Sequence, residues 1–391
     1  MKPRILFLVP ASFDALRKKG VERMILERDE DGFFARVVTV HPLAAERRVI
    51  DLNPVHRIYE LGIGQGLGAP LRALAAFAAV VRIARDERVD IIRATDAYLM
   101  GLMAWWVSRL LHLPFCVSIH ADYRKRFELS PRGWLRHALR RAAGVLPLFV
   151  LPRADLVLPI RDHLVPSLVA AGADPLRIKV IPHGVDLTPF RRPLADGARE
   201  MFELPPHAKV VSFAGRLTAD NYVADMLQAI ACVATRRHDA MFVIAGEGPE
   251  APAVRQMIAS LPNPAMVRLL PFQPYDRIVA LRRISSASLC LMAGFSLIEA
   301  CAAGSPPIAY DVEWHRELVD DAVSGYLVAE GDIASVVAAI DRLLDDGPTA
   351  ALMGARAQAA VFARHDLVHT SQIKRACYAF LLDRSRLATA S

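Results

Sequence analysis

Cysteine is scarce and unpaired in this chain: Cys116, Cys232, Cys290, Cys301 and Cys377 include no Cys-x-x-Cys spacing. That excludes a structural zinc knuckle and a disulfide framework, and points to a reducing compartment. Long apolar runs are missing too. The two longest, 97–107 and 142–151, fall well short of the roughly 20 residues that a membrane span needs. The strand-like stretch 5–9 behind Met1-Lys2-Pro3-Arg4 is too short for the core of a secretory signal. The expectation is a cytoplasmic protein that at most rests on a membrane surface. Disorder is excluded by 53% hydrophobic and 23% charged residues.

What is present suggests two domains, since 391 residues exceed one ordinary core. Residues 1–190 hold 28 lysines and arginines against 19 acids, whereas the remainder holds 20 against 22. A basic first half and a near-neutral second half imply different partners. In the first half short apolar strands at 5–9, 36–40, 91–94, 115–119, 156–159 and 179–182 alternate with helical stretches at 16–27, 71–85 and 98–111. The second half repeats this, with strands at 209–213, 240–245, 267–270, 287–292 and 307–310. Its helices fall at 223–235, 253–259, 333–344, 350–363 and 371–387. Such alternation predicts an α/β fold whose parallel sheets are covered on both faces. Ligands then bind beyond the carboxyl ends of the strands, where His120 and His183 fall. The glycines of 62–68 do not follow a strand and read as a loop. The acids Asp29-Glu30-Asp31 read as a solvated surface rather than a metal site.

One stretch stands out. Residues 287–292 read as a strand, break at Gly294-Phe295-Ser296, and restart as a small-residue helix that carries Glu299 and stops at Gly304 before Pro306-Pro307. A strand feeding a glycine turn and a helix N-terminus offers unpaired N–H groups and partial positive charge, which suits a phosphate. Phe213-Ala-Gly215-Arg216-Leu217 adds a glycine and an arginine after another strand, and Ala245-Gly246-Glu247-Gly248-Pro249 a second glycine turn.

In order, Ile181-Pro-His-Gly184-Val-Asp186, Gly215-Arg216-Leu217, Ile244-Ala-Gly246-Glu-Gly248-Pro, and Gly294-Phe295 with Glu299-Ala300 and Gly304 resemble the family-4 type of GT-B glycosyltransferases. Gly20-Val21-Glu22-Arg23 and His120-Ala-Asp122 extend the resemblance over nearly the whole chain. It implies two Rossmann-like parallel-sheet domains facing a cleft. The acceptor domain would be 1–187, the linker 188–207 and the sugar-nucleotide domain 208–370, with a final helix 371–391 returning to the first domain. It implies retaining, metal-independent transfer of a sugar, of hexosyl type, from a nucleoside diphosphate, with no cofactor. Carried over by position, Arg216 contacts the donor diphosphate, N–H groups around Ser296 and Leu297 cradle it, and Glu299 takes the ribose hydroxyls. Gly20, Gly215, Asn221, Gly246, Phe272, Gly294 and Phe295 complete the donor side. His120 faces the reacting centre, with Asp122 beside it on the acceptor side.

Three positions depart from that family. Asn221 stands where a lysine is usual, and Ala293 where the first of two glutamates is usual; Lys19-Gly20 keeps only one of two glycines. The replacement for the missing glutamate is expected at Glu313 or His315, in a segment where relatives carry a glycine pair, and Lys19 is a candidate for the lost cation. Separately, 123–141 interleaves Arg132, Arg136 and Arg140 with Trp134 and Leu135, the pattern of an interfacial helix. The expected partners are a sugar nucleotide, a lipid-linked or surface-glycan acceptor and an anionic membrane, with no nucleic acid. Two alternatives stand beside this reading. One is a relative that binds sugar nucleotide or protein without efficient transfer. The other, an epimerase or phosphorylase on the same architecture, would need an acid–base set that no motif supplies.

Overall fold

The computed structural model describes residues 2–18, 28, 32–63, 69–120, 144–194 and 196–390. Contacts divide the chain into two units, Met1–His183 with Thr370–Ser391, and Gly184–His369.

The first unit holds β1 (Arg4–Leu8), β2 (Arg36–His41), β3 (Arg47–Asp51), β4 (His56–Leu61), β5 (Ile91–Ala94), β6 (Phe115–Ile119) and β7 (Leu156–Pro159). They form one sheet in the order β3-β4-β2-β1-β5-β6-β7. Every pairing is parallel except that of the edge strand β3 with β4. The pleat of β1 sends Leu6 and Leu8 to one face and Ile5 and Phe7 to the other, so a strand buried on both sides reads as a continuous apolar run. Leu6 and Leu8 meet helices α1 (Ala69–Asp86) and α2 (Leu99–Leu111) through Val80, Met100, Ala104 and Val107. Ile5 and Phe7 meet Cys377, Tyr378 and Leu381 of the C-terminal helix Leu367–Ala390.

The second unit holds β8 (Lys209–Ala214), β9 (Ala240–Ala245), β10 (Val267–Leu270), β11 (Ala287–Leu289), β12 (Pro307–Tyr310) and β13 (Tyr326–Val328). All pair in parallel, in the order β10-β9-β8-β11-β12-β13. From β8 the chain builds outward through β9 and β10, then returns to place β11 on the other side of β8. The order therefore reverses between β8 and β11, and a ligand crevice opens at the carboxyl ends of such neighbours. Helices α3 (Val223–Ala234), α4 (Tyr275–Arg283), α5 (Phe295–Ala302) and α6 (Gly347–His365) cover the sheet.

Three expectations need correction. Residues 188–207 are not a bare linker: Phe190 packs with α5, and Phe202 and Leu204 pack under Val210 and Met241. Residues 179–182 are not a strand. Lys179 and Ile181 each donate to β7, at 3.0 and 2.8 Å, but Pro182 has no N–H to continue the ladder. Strand β11 ends at Leu289 rather than Met292. No helix of the described residues is long and apolar enough to cross a membrane.

Candidate functional site

The loop after β8 is fixed by the loop after β9. Gly215 N–H donates to the Ala245 carbonyl at 3.0 Å and Leu217 N–H to the Glu247 carbonyl at 2.9 Å. This zipper extends beyond the sheet and requires two glycines. A Cβ on Gly246 would stand 1.9 Å from the Gly215 oxygen, and one on Gly248 would stand 2.2 Å from the Leu217 oxygen. Gly246, expected on the donor side, is thus demanded by backbone packing. Arg216 points outward. Its side chain is 74% exposed and lies 3.5 Å from Asp220, a surface pair of little energetic weight that another anion can displace. Asn221 does not stand in for a lysine, because its Nδ2 donates to the Arg216 carbonyl at 2.7 Å and holds that loop.

Beside it, β11 runs through Cys290–Ala293 into α5. Leu297, Ile298 and Ala300 anchor the helix in the core. Gly294, its N-cap, adopts φ −91° and ψ −107°, outside the main wells of L-residues, and makes no side-chain cap. Here, chain neighbours aside, no atom of the described residues lies within 4 Å of where a Cβ would stand. Unlike Gly246, Gly294 faces open space, and the first-turn N–H groups behind it have no intrahelical acceptor. Phe295 is exposed at the start of the helix, whereas the Ser296 hydroxyl turns inward to donate to the Ala214 carbonyl at 2.7 Å. The Glu299 side chain is 19% exposed and lies 3.8 Å from Arg282 Nε. Burial raises its pKa and Arg282 pulls it back.

Arg282 is the residue that sequence reasoning missed. It sits in the last turn of α4, fully buried, and its Nη2 donates to Ala214 O at 3.3 Å and Ser296 Oγ at 2.5 Å. Nothing in the local pattern of α4, whose helix carries Arg277 and Arg283 as well, singles it out.

The segment after β12 divides the two residues expected to replace the missing glutamate. His315 is withdrawn from that role. It is fully buried, with Nδ1 2.8 Å from Tyr310 O and Nε2 accepting from Ala293 N–H at 3.2 Å. Its ring fastens the approach to Gly294. Glu313 remains exposed and holds φ +50°, the left-handed region that favours glycine. Phe272, after β10, is 77% exposed and its N–H donates to Glu247 at 3.3 Å, which brings it beside the loop after β9.

In the first unit His120 follows β6, its ring 5.9 Å from that of His183 and stacked on it. Desolvation by its surroundings and then the cations Arg93, Arg28 and Lys374 lower its pKa to about 3, a downward direction weakened by the solvent exposure of the residue. Either way the imidazole is neutral at pH 7. Gly20, Asp122, Arg132, Trp134, Arg136 and Arg140 lie outside the described residues, as does Lys19. The structure therefore gathers Arg216, Gly294–Leu297 and Glu299 at the β8/β11 reversal, with Phe272 and Glu313 after neighbouring strands.

Comparison with known proteins agrees with this geometry. Residues 14–189 match the family described as Glycosyltransferase Family 4, and residues 197–360 match Glycosyl transferases group 1. The D-inositol 3-phosphate glycosyltransferase of Mycobacterium marinum is 32% identical over 351 residues, covering 86% of this chain and 73% of the relative. The 2-deoxystreptamine glucosyltransferase of Streptomyces kanamyceticus is 28% identical, covering 70% of this chain and 72% of the relative. The structure of Anabaena HepE in complex with UDP superposes with a TM-score of 0.74 at 19% identity, over 97% of this chain and 100% of that one. The chain belongs to the group 1, family 4 glycosyltransferases, retaining enzymes of GT-B fold that draw their sugar from a nucleotide-linked donor.

Proposed function

We propose that the chain moves a hexosyl group from a nucleoside diphosphate, UDP being the first to test, to a lipid-linked or surface-glycan acceptor at a membrane face. The observation that carries the donor half is the open space in front of α5 at the β8/β11 reversal, with the exposed Arg216 beside it, held only by a surface pair with Asp220. In this reading Gly294–Leu297 and Arg216 take the diphosphate, Glu299 the ribose hydroxyls, and Phe272 a face of the base. Glu313 meets the sugar, and neutral His120 orients the acceptor. No protein nucleophile is invoked. Charge growing on the departing diphosphate is met by Arg216 and by the helix N-terminus, donors already in place before the bond breaks.

The acceptor half is supported by the charge of the first half and by the outer face of α2. Leu99, Trp106 and Leu110 are exposed there at helical spacing beside Arg109, with Trp106 at 52%. Apolar and aromatic groups flanked by arginine suit the boundary of an anionic bilayer. A soluble cyclitol acceptor is the second reading, favoured by the relatives that act on D-inositol 3-phosphate and 2-deoxystreptamine.

The test is mass-spectrometric detection of transfer from UDP-, GDP- and ADP-hexoses. Acceptors are a polyprenyl-diphosphate sugar in anionic vesicles, inositol phosphate and an aminocyclitol. Transfer in vesicles, lost on adding salt, is the expected result. Equal or faster transfer to a soluble cyclitol would replace the acceptor half. Tight nucleotide binding without transfer to any acceptor would favour a binding role.

A further inference from the structure

With Asn221 where a lysine is usual, Arg216 is the cation that motif position assigns to the diphosphate, and Lys19, the candidate for the second, lies outside the described residues. We propose that Arg282, from beneath the N-terminus of α5, provides the second positive charge and acts as a positioning residue for the donor diphosphate. The proposal rests on the donor site described above.

The geometry is specific. One guanidinium spans both exits of the strand reversal, binding Ala214 O at the end of β8 and Ser296 Oγ in the first turn of α5. Ser296 in turn donates to Ala214 O, so the three groups close a part-buried triangle that fixes the Gly215-Arg216 loop against the helix. Arg282 has no exposed surface, and its Nε and Nη1 make no hydrogen bond among the described residues. Burying a guanidinium with unsatisfied nitrogens is costly, which makes its charge a candidate for a role beyond packing. Its nearest carboxylate, Glu299, stands 3.8 Å from Nε, too far for a hydrogen bond.

The charge is therefore asymmetric along α5. Its positive end lies against Ser296, where the diphosphate is placed. Its negative end lies at Glu299, where ribose hydroxyls would donate. Arg282 does not touch the ligand, because it is fully enclosed. It works through Ser296, which it bonds directly, and through its field, which a part-buried path screens less than open water does. A lysine on the solvent side, as relatives use, contacts phosphate directly. A buried arginine gives fixed charge with no reorganisation when the nucleotide arrives.

The experiment compares binding of UDP and of uridine, by calorimetry, to the unmodified chain and to R282M, R282Q and R282K. A field acting on phosphate lowers the ratio of UDP affinity to uridine affinity by about tenfold or more in R282M, and R282K restores most of it. A purely structural arginine would leave that ratio unchanged, with both affinities falling together or neither falling, and this overturns the proposal. R282Q gives the same reading if R282M does not fold. Binding of UDP by the unmodified chain with an unaltered ratio in the variants defeats this proposal alone. If the unmodified chain binds none of UDP, GDP and ADP, the donor reading fails, and this proposal fails with it.

Discussion

Replacing Glu313 with glycine separates the two demands on that residue. Its left-handed backbone costs an L-residue roughly 1 kcal/mol that glycine does not incur, so Glu313→Gly is expected to raise the melting temperature slightly. If the carboxylate meets the donor sugar, the same change lowers sugar transfer at least tenfold while UDP affinity stays within about twofold. Unchanged transfer rates would remove Glu313 from the site. At this scale the sequence was legible where motif order carried position. Arg216 and Gly294 each stand in a glycine turn after a strand, and Glu299 lies in the helix that follows, so motif order alone brings them to the β8/β11 reversal. Burial was not legible. His315 looked available for chemistry, yet its ring is consumed by backbone atoms of Tyr310 and Ala293. Arg282 looked like one of several helical arginines, yet its chain neighbour Arg283 reaches out to the Arg192 carbonyl while Arg282 is sealed in.

Among the elements, α5 depends on a seat where two glycines meet. It ends in Gly304, at φ +72°, and α6 crosses that cap so closely that a Cβ on Gly354 would stand 1.9 Å from the Gly304 oxygen. Gly354→Ala must push the two helices apart, and a loss of about 2 kcal/mol or more in urea unfolding is expected. Because α5 carries the proposed phosphate turn at its other end, the folded fraction of the variant should also bind UDP more weakly. Stability lost with UDP affinity intact would show that the seat and the turn are uncoupled. The Gly-then-Pro stop of α5 was readable because its cause is local. Strands β3, β4 and β13 and helix α4 were not, and the reason is again tertiary. β3 is an edge strand with alternate residues in solvent, and α4 sets a contiguous apolar run, 278–281, among arginines, which gives no clear helical period.

For the molecule as a whole, acid should be more damaging than its carboxylates alone suggest. His41 is fully buried, and burial, followed by the Arg28 charge, lowers its pKa from 6.5 to about 4, against a smaller opposing effect of Glu60. The unfolded chain therefore takes up a proton near pH 6.5 that the folded chain refuses until about pH 4. Stability from this group is complete above pH 6.5 and declines as pH falls toward 4, by roughly 3 kcal/mol. Urea unfolding at pH 7 and pH 4.5 should show this loss, and His41→Gln should flatten it. An equal slope in the variant would assign the acid sensitivity elsewhere.

The C-terminal helix has a consequence for how the chain comes to be folded. Tyr378 bonds Arg93 through its hydroxyl, packs 5.0 Å from Phe34, and with Cys377 and Leu381 roofs Ile5 and Phe7. These residues are synthesised after Gly184–His369, so the unit begun first is the last whose core can close. On the ribosome the usual N-to-C order of domain folding is inverted. The second unit can mature while the first waits, one face of its sheet still bare. A chain released at residue 369 should keep that face uncovered and be captured by chaperones, whereas supplying residues 370–390 as a separate peptide should restore solubility.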